Sequence, residues 1–184
     1  LVCLDALQLR GRQAGALHAL TMPGPGTSER TLKSARALVK TAGATLVEIP
    51  IAAAVTQHLA DLAHPVGQHD VVFENAQARE RTQLLFNYAN KMRGIVVGTG
   101  DLSELALGWC TFNGDHMANY NVNAGVPKTM MGYLVRWYGR HRAAKTLAKV
   151  LNDVLDTPIS PELLPPDSTG SISQTTESII GPYE

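Results

Sequence analysis

The chain of 184 residues is long enough for one domain with a sizeable buried core, and its hydrophobic content of 45% is typical of a globular protein. Its 16 basic and 16 acidic residues balance, so the charge indicates neither a nucleic-acid partner nor attraction to a membrane surface. No apolar run approaches the roughly 20 residues that a membrane-spanning helix needs, so no membrane partner is expected.

The remaining compositional signals favour a cytoplasmic protein. Asp5 and Arg10 interrupt the first apolar stretch, and no signal peptide is recognised there. Cys3 and Cys110 lie far apart without the spacing of a metal motif, which favours free thiols in a reducing compartment. The six histidines show no zinc-ligand spacing, and the G-x-S-x-G turn of a serine hydrolase is absent from the sequence.

Apolar periodicity and turn residues predict an alternation of helices and strands. The expected elements are a helix over 1–9 ended by Gly11, a strand over 16–22, a helix capped by Thr27 or Ser28 and ended by Gly43, a strand over 44–51, a helix over 52–63, a helix over 73–92, a strand over 95–97, and two helices after Lys128. The first helix begins without a cap, which leads us to expect that something upstream is missing.

Two strand–helix alternations followed by an apolar third strand predict a doubly wound α/β domain, with a parallel sheet and helices on both faces. In the helix over 73–92 we expect one stripe, lined by Arg81, Leu84, Leu85, Tyr88, Ala89 and Met92. The apolar strand Ile95-Val-Val is of the kind buried in parallel sheets. We place the α/β domain at 1–157 and treat the segment 158–184, rich in Pro, Ser and Thr, as a C-terminal extension of it.

Three polar motifs have both a functional and a structural interpretation. Asp101-x-x-Glu104 has the spacing of a helix capping box, although Glu104 could also bind a metal. Asn75 and Arg79 share one helix face, which is either solvated or able to hold a phosphate or carboxylate. Lys128 follows Pro127 at a helix start, where it is either a surface lysine or a phosphate contact.

Taken together and in order, five motifs closely resemble the synthetase domain of glutamine-dependent NAD synthetases. The resemblance covers nearly the whole chain, and its motifs are residues 22–30, 74–79, 97–108, 121–129 and 159–164. It implies a Rossmann-type fold like that of the adenine nucleotide α-hydrolases. It also implies an ATP-dependent reaction, in which the carboxylate of deamido-NAD is adenylated and ammonia then displaces AMP to give NAD.

The resemblance assigns four residues to the nucleotide side of the site. Glu104 corresponds to a magnesium ligand, so Mg²⁺ and ATP are the expected cofactor and co-substrate. Lys128 would bind the ATP phosphates as a catalytic residue, and Thr99 would lie beside the nucleotide. Ser28, after the Pro-Gly turn, would lie close to the adenosine.

Three residues are assigned to the other substrate. Asn75 and Arg79 would hold deamido-NAD or the developing adenylate, with Arg79 as a second catalytic residue. Asp115 would lie near the nicotinate end.

The sequence also departs from the family. The first strand and the Ser-Gly-Gly-x-Asp-Ser pyrophosphate loop, with a second magnesium-binding acid, would precede Leu1, and so would the glutaminase domain that supplies ammonia from glutamine. We therefore expect the 184 residues alone to lack synthetase activity. Asn119 stands where many members carry aspartate, which leaves the roles in its loop open. The family further implies a homo-oligomer.

Three alternatives stay open at this point. The chain could belong to another amide-forming synthetase of the same ATP-pyrophosphatase group, acting on xanthylate or aspartate. It could be a non-catalytic nucleotide-binding module. It could also be a purely structural α/β domain that binds no nucleotide.

Overall fold

The computed structural model describes residues 1–157 and Gly181, and in this part helices alternate with short strands. The elements are α1 (Val2–Leu9), a 3-10 turn (Ala14–Ala16), β1 (His18–Thr21), α2 (Glu29–Ala42), β2 (Thr45–Glu48), α3 (Ala52–Asp61), α4 (Val71–Met92), β3 (Val97–Gly98), α5 (Leu102–Leu107), β4 (Tyr120–Asn121), α6 (Lys128–His141) and α7 (Lys145–Leu155). Every predicted helix and strand within 1–157 is present, with ends shifted by a few residues.

The strands pair in parallel, as expected for an α/β fold. β1 and β2 form one pair, in register from His18 opposite Thr45 to Thr21 opposite Glu48. β3 and β4 form a second pair, with Val97 opposite Tyr120. The described strands therefore form two two-stranded parallel sheets flanked by helices, and the predicted α/β class with parallel sheets is confirmed.

Local signals set several helix ends where the sequence predicts them. Ser28 caps α2, because its hydroxyl accepts the backbone N–H of Thr31. Gly43 ends the same helix in the left-handed conformation at φ 71°, which glycine adopts without strain. The cap of α4 was not predicted: Asp70 accepts from the N–H groups of Val72 and Phe73, and the helix begins two residues earlier than expected.

The hydrophobic core lies between the end of β1, α3 and α4. Met22, Ile51, Val55 and Ala76 form its buried cluster, with Ile51 fully buried. The partly buried residues that pack against it are Leu20, Ile49, Leu59, Leu84 and Leu85. This core fixes the turn after β1 against the first half of α4, which is where the polar residues of the next section lie.

Burial along α4 and around the third strand differs in part from the sequence-based expectation. The buried stripe of α4 begins one to two turns earlier than predicted, at Phe73, Ala76, Gln77, Ala78 and Thr82, and Met92 is 46% exposed. Leu84 and Leu85 still pack against the core, whereas the last three residues of α4, 90–92, are exposed. Of the predicted strand segment 95–97 only Val96 is buried, whereas Ile95 is 66% exposed, because successive side chains of an extended chain point to opposite sides.

The contact between β3 and β4 requires glycine at position 98. A Cβ there would lie 2.7 Å from the Ala118 Cβ and would collide with the Asn121 side chain, whose Oδ1 is buried without a hydrogen-bond partner in the described part of the chain. The Asn119 Oδ1 accepts the backbone N–H of Val96 at 2.8 Å, so this asparagine joins the loop before β4 to the start of β3.

The remaining expectations concern the two cysteines, membrane-spanning helices and the C-terminal segment. Cys3 and Cys110 are free thiols, as predicted. None of the described helices is long and apolar enough to cross a lipid bilayer. The proposed C-terminal segment 158–184, with the motif at 159–164, lies outside the described residues apart from Gly181.

Candidate functional site

A cleft of about 980 Å³ opens where the first and second halves of the described chain meet. From the first half of the chain its lining includes residues 20–23 and 27, at the end of β1 and in the turn that follows, and one face each of α2 and α4. From the second half it includes Thr99 after β3, Glu104 of α5, the segment 108–111 and Lys128 at the start of α6. This volume is at the upper end of the range for small-molecule sites, about 300–1,000 Å³.

An acid–lysine cluster, made of Asp101, Glu104 and Lys128, lies at this cleft. Asp101 caps α5 by accepting the Glu104 N–H at 3.0 Å, and the Glu104 Oε2 accepts the Asp101 N–H at 3.2 Å. The predicted capping box is therefore confirmed. The Lys128 Nζ donates to the Asp101 Oδ2 at 2.9 Å and to the Glu104 Oε1 at 2.5 Å.

The burial of this cluster sets its electrostatics. The Asp101 side chain is 1% exposed, whereas those of Lys128 and Glu104 are 23% and 26% exposed. Burial alone would lower the pKa of Lys128, but the hydrogen bonds to Glu104 and Asp101 outweigh it and the pKa is raised above that of an ordinary lysine. The lysine is therefore a fixed positive charge at neutral pH.

The sequence places Lys128 correctly because α6 begins at this residue. Its backbone N–H donates to the Ser103 Oγ at 3.0 Å, and the Leu102 N–H donates to the Val126 carbonyl at 3.0 Å. These two bonds join the starts of α5 and α6, so the lysine is held against the capping box of the shorter helix.

A second polar group connects α4 to the loop 111–116. The Thr111 hydroxyl donates to the Asn75 Oδ1 at 2.7 Å, and the Thr111 N–H donates to the Asp115 Oδ1 at 2.7 Å. Arg79, one turn after Asn75, donates through Nε to the Phe112 carbonyl at 3.2 Å. The structure thus brings Asn75, Arg79 and Asp115 to one loop, in which the 8% exposed Thr111 bonds to both Asn75 and Asp115.

Five of the seven residues proposed from the sequence line the cleft, namely Asn75, Thr99, Glu104, Asp115 and Lys128. Arg79 is exposed and its guanidinium lies against the loop 111–116, and Ser28 acts as a helix cap; neither is among the lining residues. Their assignment to substrate or nucleotide binding therefore stays a prediction.

Three other lining residues escaped the sequence analysis as site residues. Arg81 was assigned to an apolar stripe, but it is partly buried at the cleft and bonds to the turn after β1. Thr111 belongs to no motif. Glu74 lines the cleft, and burial, with a smaller contribution from the charge of Asp70, raises the pKa of its carboxyl group. Its position at the start of the motif 74–79 was the one available signal.

The carboxylates of the cluster suit only a partial metal site. No group of three or more His, Cys, Asp and Glu side chains is arranged to hold a metal within residues 1–157. Mg²⁺ is often held in proteins by one or two carboxylates together with substrate phosphates. Glu104, which lines the cleft and has a further lone pair on each oxygen, fits this partial role, whereas Asp101 is buried and committed to Lys128 and to the cap.

Comparison with known proteins gives a consistent set of matches. A sequence model of the family described as NAD synthase matches residues 1–183. Glutamine-dependent NAD(+) synthetases from Mycobacterium leprae and Synechocystis are 44% and 35% identical, over 100% and 90% of this chain. The chain spans only 28% and 29% of the length of these relatives.

Two solved structures share the fold. Glutamine-dependent NAD+ synthetase from Acinetobacter baumannii, in complex with adenosine diphosphate, matches with a TM-score of 0.74 and 26% identity over 86% of this chain and 30% of that one. NMN synthetase from Francisella tularensis matches with a TM-score of 0.75 and 24% identity, over 99% of this chain and 68% of that one.

Proposed function

The chain belongs to the NAD synthase family, and from this membership we propose that it forms part of an ATP-dependent ligase that converts deamido-NAD to NAD. The observation that carries the proposal is the shared cleft, in which Thr99, Glu104 and Lys128 lie together with Asn75 and Asp115. Binding of ADP by the Acinetobacter baumannii structure supports an adenine nucleotide as the ligand.

The proposed reaction has two steps. One oxygen of the nicotinate carboxylate attacks the α-phosphorus of ATP, and pyrophosphate leaves. Ammonia then adds to the activated carbonyl carbon, AMP leaves with the C–O bond electrons, and a proton is lost to give the amide. Activation is necessary because ammonia cannot displace an oxygen from a free carboxylate. Once the oxygen belongs to an acyl adenylate, it leaves as part of AMP.

Lys128 has the charge and geometry to act on the phosphates. An ammonium has three donors, and the Lys128 Nζ bonds to Asp101 and Glu104 in the cluster, so its third N–H can donate to a phosphate oxygen. Because these bonds fix the ammonium before the ligand arrives, the charge that develops on the phosphates would meet a preorganised cation. Thr99 and the turn that precedes Ser28 would border the same nucleotide.

We propose that Glu104 holds Mg²⁺ together with phosphate oxygens, where the ion would offset the charge that builds up on them. Deamido-NAD would bind on the side of the loop 111–116, with Asn75 and Arg79 as its hydrogen-bond donors. The pyridinium ring of deamido-NAD is cationic, so the Asp115 carboxylate is a suitable neighbour for it.

Ammonia would come from glutamine through a glutaminase domain, in keeping with the glutamine dependence named for the relatives and with the small part of their length that this chain spans. A homo-oligomeric, cytoplasmic enzyme belongs to the same proposal. The 184 residues alone are proposed to make no NAD.

A chimeric enzyme tests the function directly. This chain would replace the matching 28% of the Mycobacterium leprae synthetase, to which it is 44% identical. We expect NAD from deamido-NAD, ATP, Mg²⁺ and ammonia, and loss of product in the Lys128→Met chimera. A folded chimera that binds ATP but makes no NAD would favour a non-catalytic module. Preference for xanthylate or aspartate over deamido-NAD would favour another amide-forming synthetase.

A further inference from the structure

The turn between β1 and α2, residues 22–27, is bonded from α4 by two side chains. The Gln77 Oε1 accepts the Gly26 N–H at 3.3 Å. Arg81, one helical turn later, donates from Nε to the Met22 carbonyl at 3.1 Å and from Nη2 to the Thr27 Oγ1 at 3.4 Å. Both ends of the turn are therefore bonded to one face of the same helix.

The turn is also shaped to let these side chains approach. A Cβ on Gly24 would lie 2.9 Å from the Gln77 Oε1 and 3.1 Å from the Arg81 Nη2 and the Ile51 Cδ1. These separations are shorter than ordinary contacts, so only a glycine leaves both polar groups in place. Its N–H donates to the Thr27 Oγ1 at 3.0 Å, which joins the middle of the turn to the atom that Arg81 contacts.

Gln77 is polar at a position where an apolar residue would be easier to bury. Its side chain is fully buried beside the core cluster, and its Nε2 donates to the Phe73 carbonyl at 3.3 Å. Burial of an amide is unfavourable unless its hydrogen bonds are made. The hydrogen bond to the turn is one of those that offset the cost of burying this amide.

The position of the turn gives this arrangement a function. Met22, Pro23 and Thr27 line the cleft, as does Arg81 itself, and the same cleft contains Lys128. The apolar side chains that line the cleft include Leu20, which precedes the turn, Leu38 of α2 and Leu85 of α4. A nucleotide whose phosphates bind Lys128 can place its base against this apolar part, so the conformation of the turn would decide whether the base fits.

We propose that Gln77 and Arg81 are positioning residues, which hold the 22–27 turn in the conformation that binds the nucleoside part of ATP. The proposal rests on the proposed function, since it takes ATP as the ligand of this cleft. It adds two residues that touch the wall of the site rather than the reacting atoms. Deamido-NAD, assigned to the loop 111–116, should not depend on them.

The first experiment measures the turn without any ligand. Amide hydrogen exchange of the 184-residue chain is compared with that of Arg81→Lys, which keeps the charge but lacks the second, forked donor, and of Gln77→Met. We expect the Gly26 N–H to exchange about five-fold faster in the Gln77 variant, since a net hydrogen bond is worth about 1 kcal/mol. The exposed Arg140→Lys is the matched control. Unchanged exchange across the turn in both test variants would overturn the proposal.

The second experiment measures ligand affinity. Trp109 lines the cleft and reports binding by its fluorescence, in a Trp137→Phe background that removes the exposed tryptophan of α6. Arg81→Lys should weaken ATP binding about ten-fold and leave the affinity for deamido-NAD within about two-fold of wild type. Gly24→Ala should weaken ATP binding in the same way as Arg81→Lys. Gly15→Ala is its control and should leave ATP binding unchanged, because its Cβ would meet only Thr45 at 3.8 Å.

The outcomes separate this inference from the function on which it rests. A loosened turn with unchanged ATP affinity would overturn the positioning role. Equal loss of both ligands would also overturn it, because general destabilisation has that effect. If the wild-type chain binds neither ligand although the turn loosens in the variants, the affinities are measured in the chimeric enzyme. Absence of binding there as well refutes the proposed function, and the ligand role of the two residues fails with it.

Discussion

Replacement of Lys128 by methionine tests the electrostatic design of the acid–lysine cluster. The substitution keeps most of the aliphatic length of the side chain but removes the ammonium. Asp101, which is 1% exposed, would then keep the Glu104 N–H as a hydrogen-bond partner but lose its ion pair. A buried carboxylate in that state is unfavourable, so the folded protein should be destabilised.

The expected magnitude follows from the burial of the three groups. Loss of one partner from a fully buried ion pair costs about 3–5 kcal/mol, whereas an exposed pair is worth about 0–1 kcal/mol. The side chains of Lys128 and Glu104 are 23% and 26% exposed, so water reaches their side of the cluster and only Asp101 is fully shielded. We therefore expect the free energy of unfolding to fall by about 2–3 kcal/mol.

Urea unfolding of single and double variants measures this value. Asp101→Asn keeps an oxygen for the helix cap, at which asparagine and aspartate are about equally good. The neutral amide needs no ammonium, so the Lys128→Met substitution should cost less in the Asp101→Asn background, with a coupling of about 1–2 kcal/mol. Lys145→Met is the control, because Lys145 also begins a helix but is exposed.

The pH dependence provides a second check. The pKa of Lys128 is raised in the folded state, so its stabilising contribution is complete below the unfolded lysine pKa of about 10.4 and is lost as the pH rises through the folded value. The difference between wild type and Lys128→Met should be constant from neutral pH to about pH 9 and shrink only in strong alkali. Equal losses in the Lys128 and Lys145 variants, or strict additivity with Asp101→Asn, would refute the reasoning.

Three further predictions concern other parts of the structure. Gly98→Ala should lower the free energy of unfolding by about 1–3 kcal/mol, because the added Cβ would collide with Ala118. Gly100→Ala is the control, and it should be nearly neutral in the same urea assay because its Cβ would meet Glu104 at 3.7 Å. The backbone N–H of Phe73, with other hydrogen bonds, lowers the pKa of Asp70 to about 2. The stabilising effect of this carboxylate is therefore present above about pH 4 and lost as the pH falls toward 2. Between these pH values the thermal midpoint of Asp70→Asn should fall less than that of wild type. Glu104→Gln should reduce the gain in ATP affinity that Mg²⁺ gives in calorimetric titrations, and an unchanged gain would contradict the metal assignment.

The sequence predicts those features that depend on residues close together in the chain. Ser28 and Gly43 bound α2, and the capping box begins α5, because each signal acts within about one helical turn. The start of α6 at Lys128 follows in the same way from the preceding proline. These local rules were sufficient to locate the elements that carry the site.

The features that the sequence does not predict depend on distant contacts. Arg81 bonds to a carbonyl 59 residues earlier in the chain, and Thr111 bonds to a side chain 36 residues away. Neither residue type signals its partner, and helical spacing assigned Arg81 to an apolar stripe. The exposure of Ile95 has a similar cause, because burial of a short apolar strand depends on which elements pack against each of its sides.

The charge of the acid–lysine cluster links the two proposed roles of its residues, Mg²⁺ binding by Glu104 and phosphate binding by Lys128. Two carboxylates share one ammonium, so the cluster has a net negative charge where the proposal needs a triphosphate to bind. Lys128 alone cannot make this end of the cleft attractive to an anion, because its charge is already offset by Asp101. A divalent cation at Glu104 would reverse the sign of the local charge and leave the lysine fixed. We therefore expect ATP to bind this chain appreciably only with Mg²⁺, and metal-independent binding of equal strength would show that the phosphates do not approach the cluster.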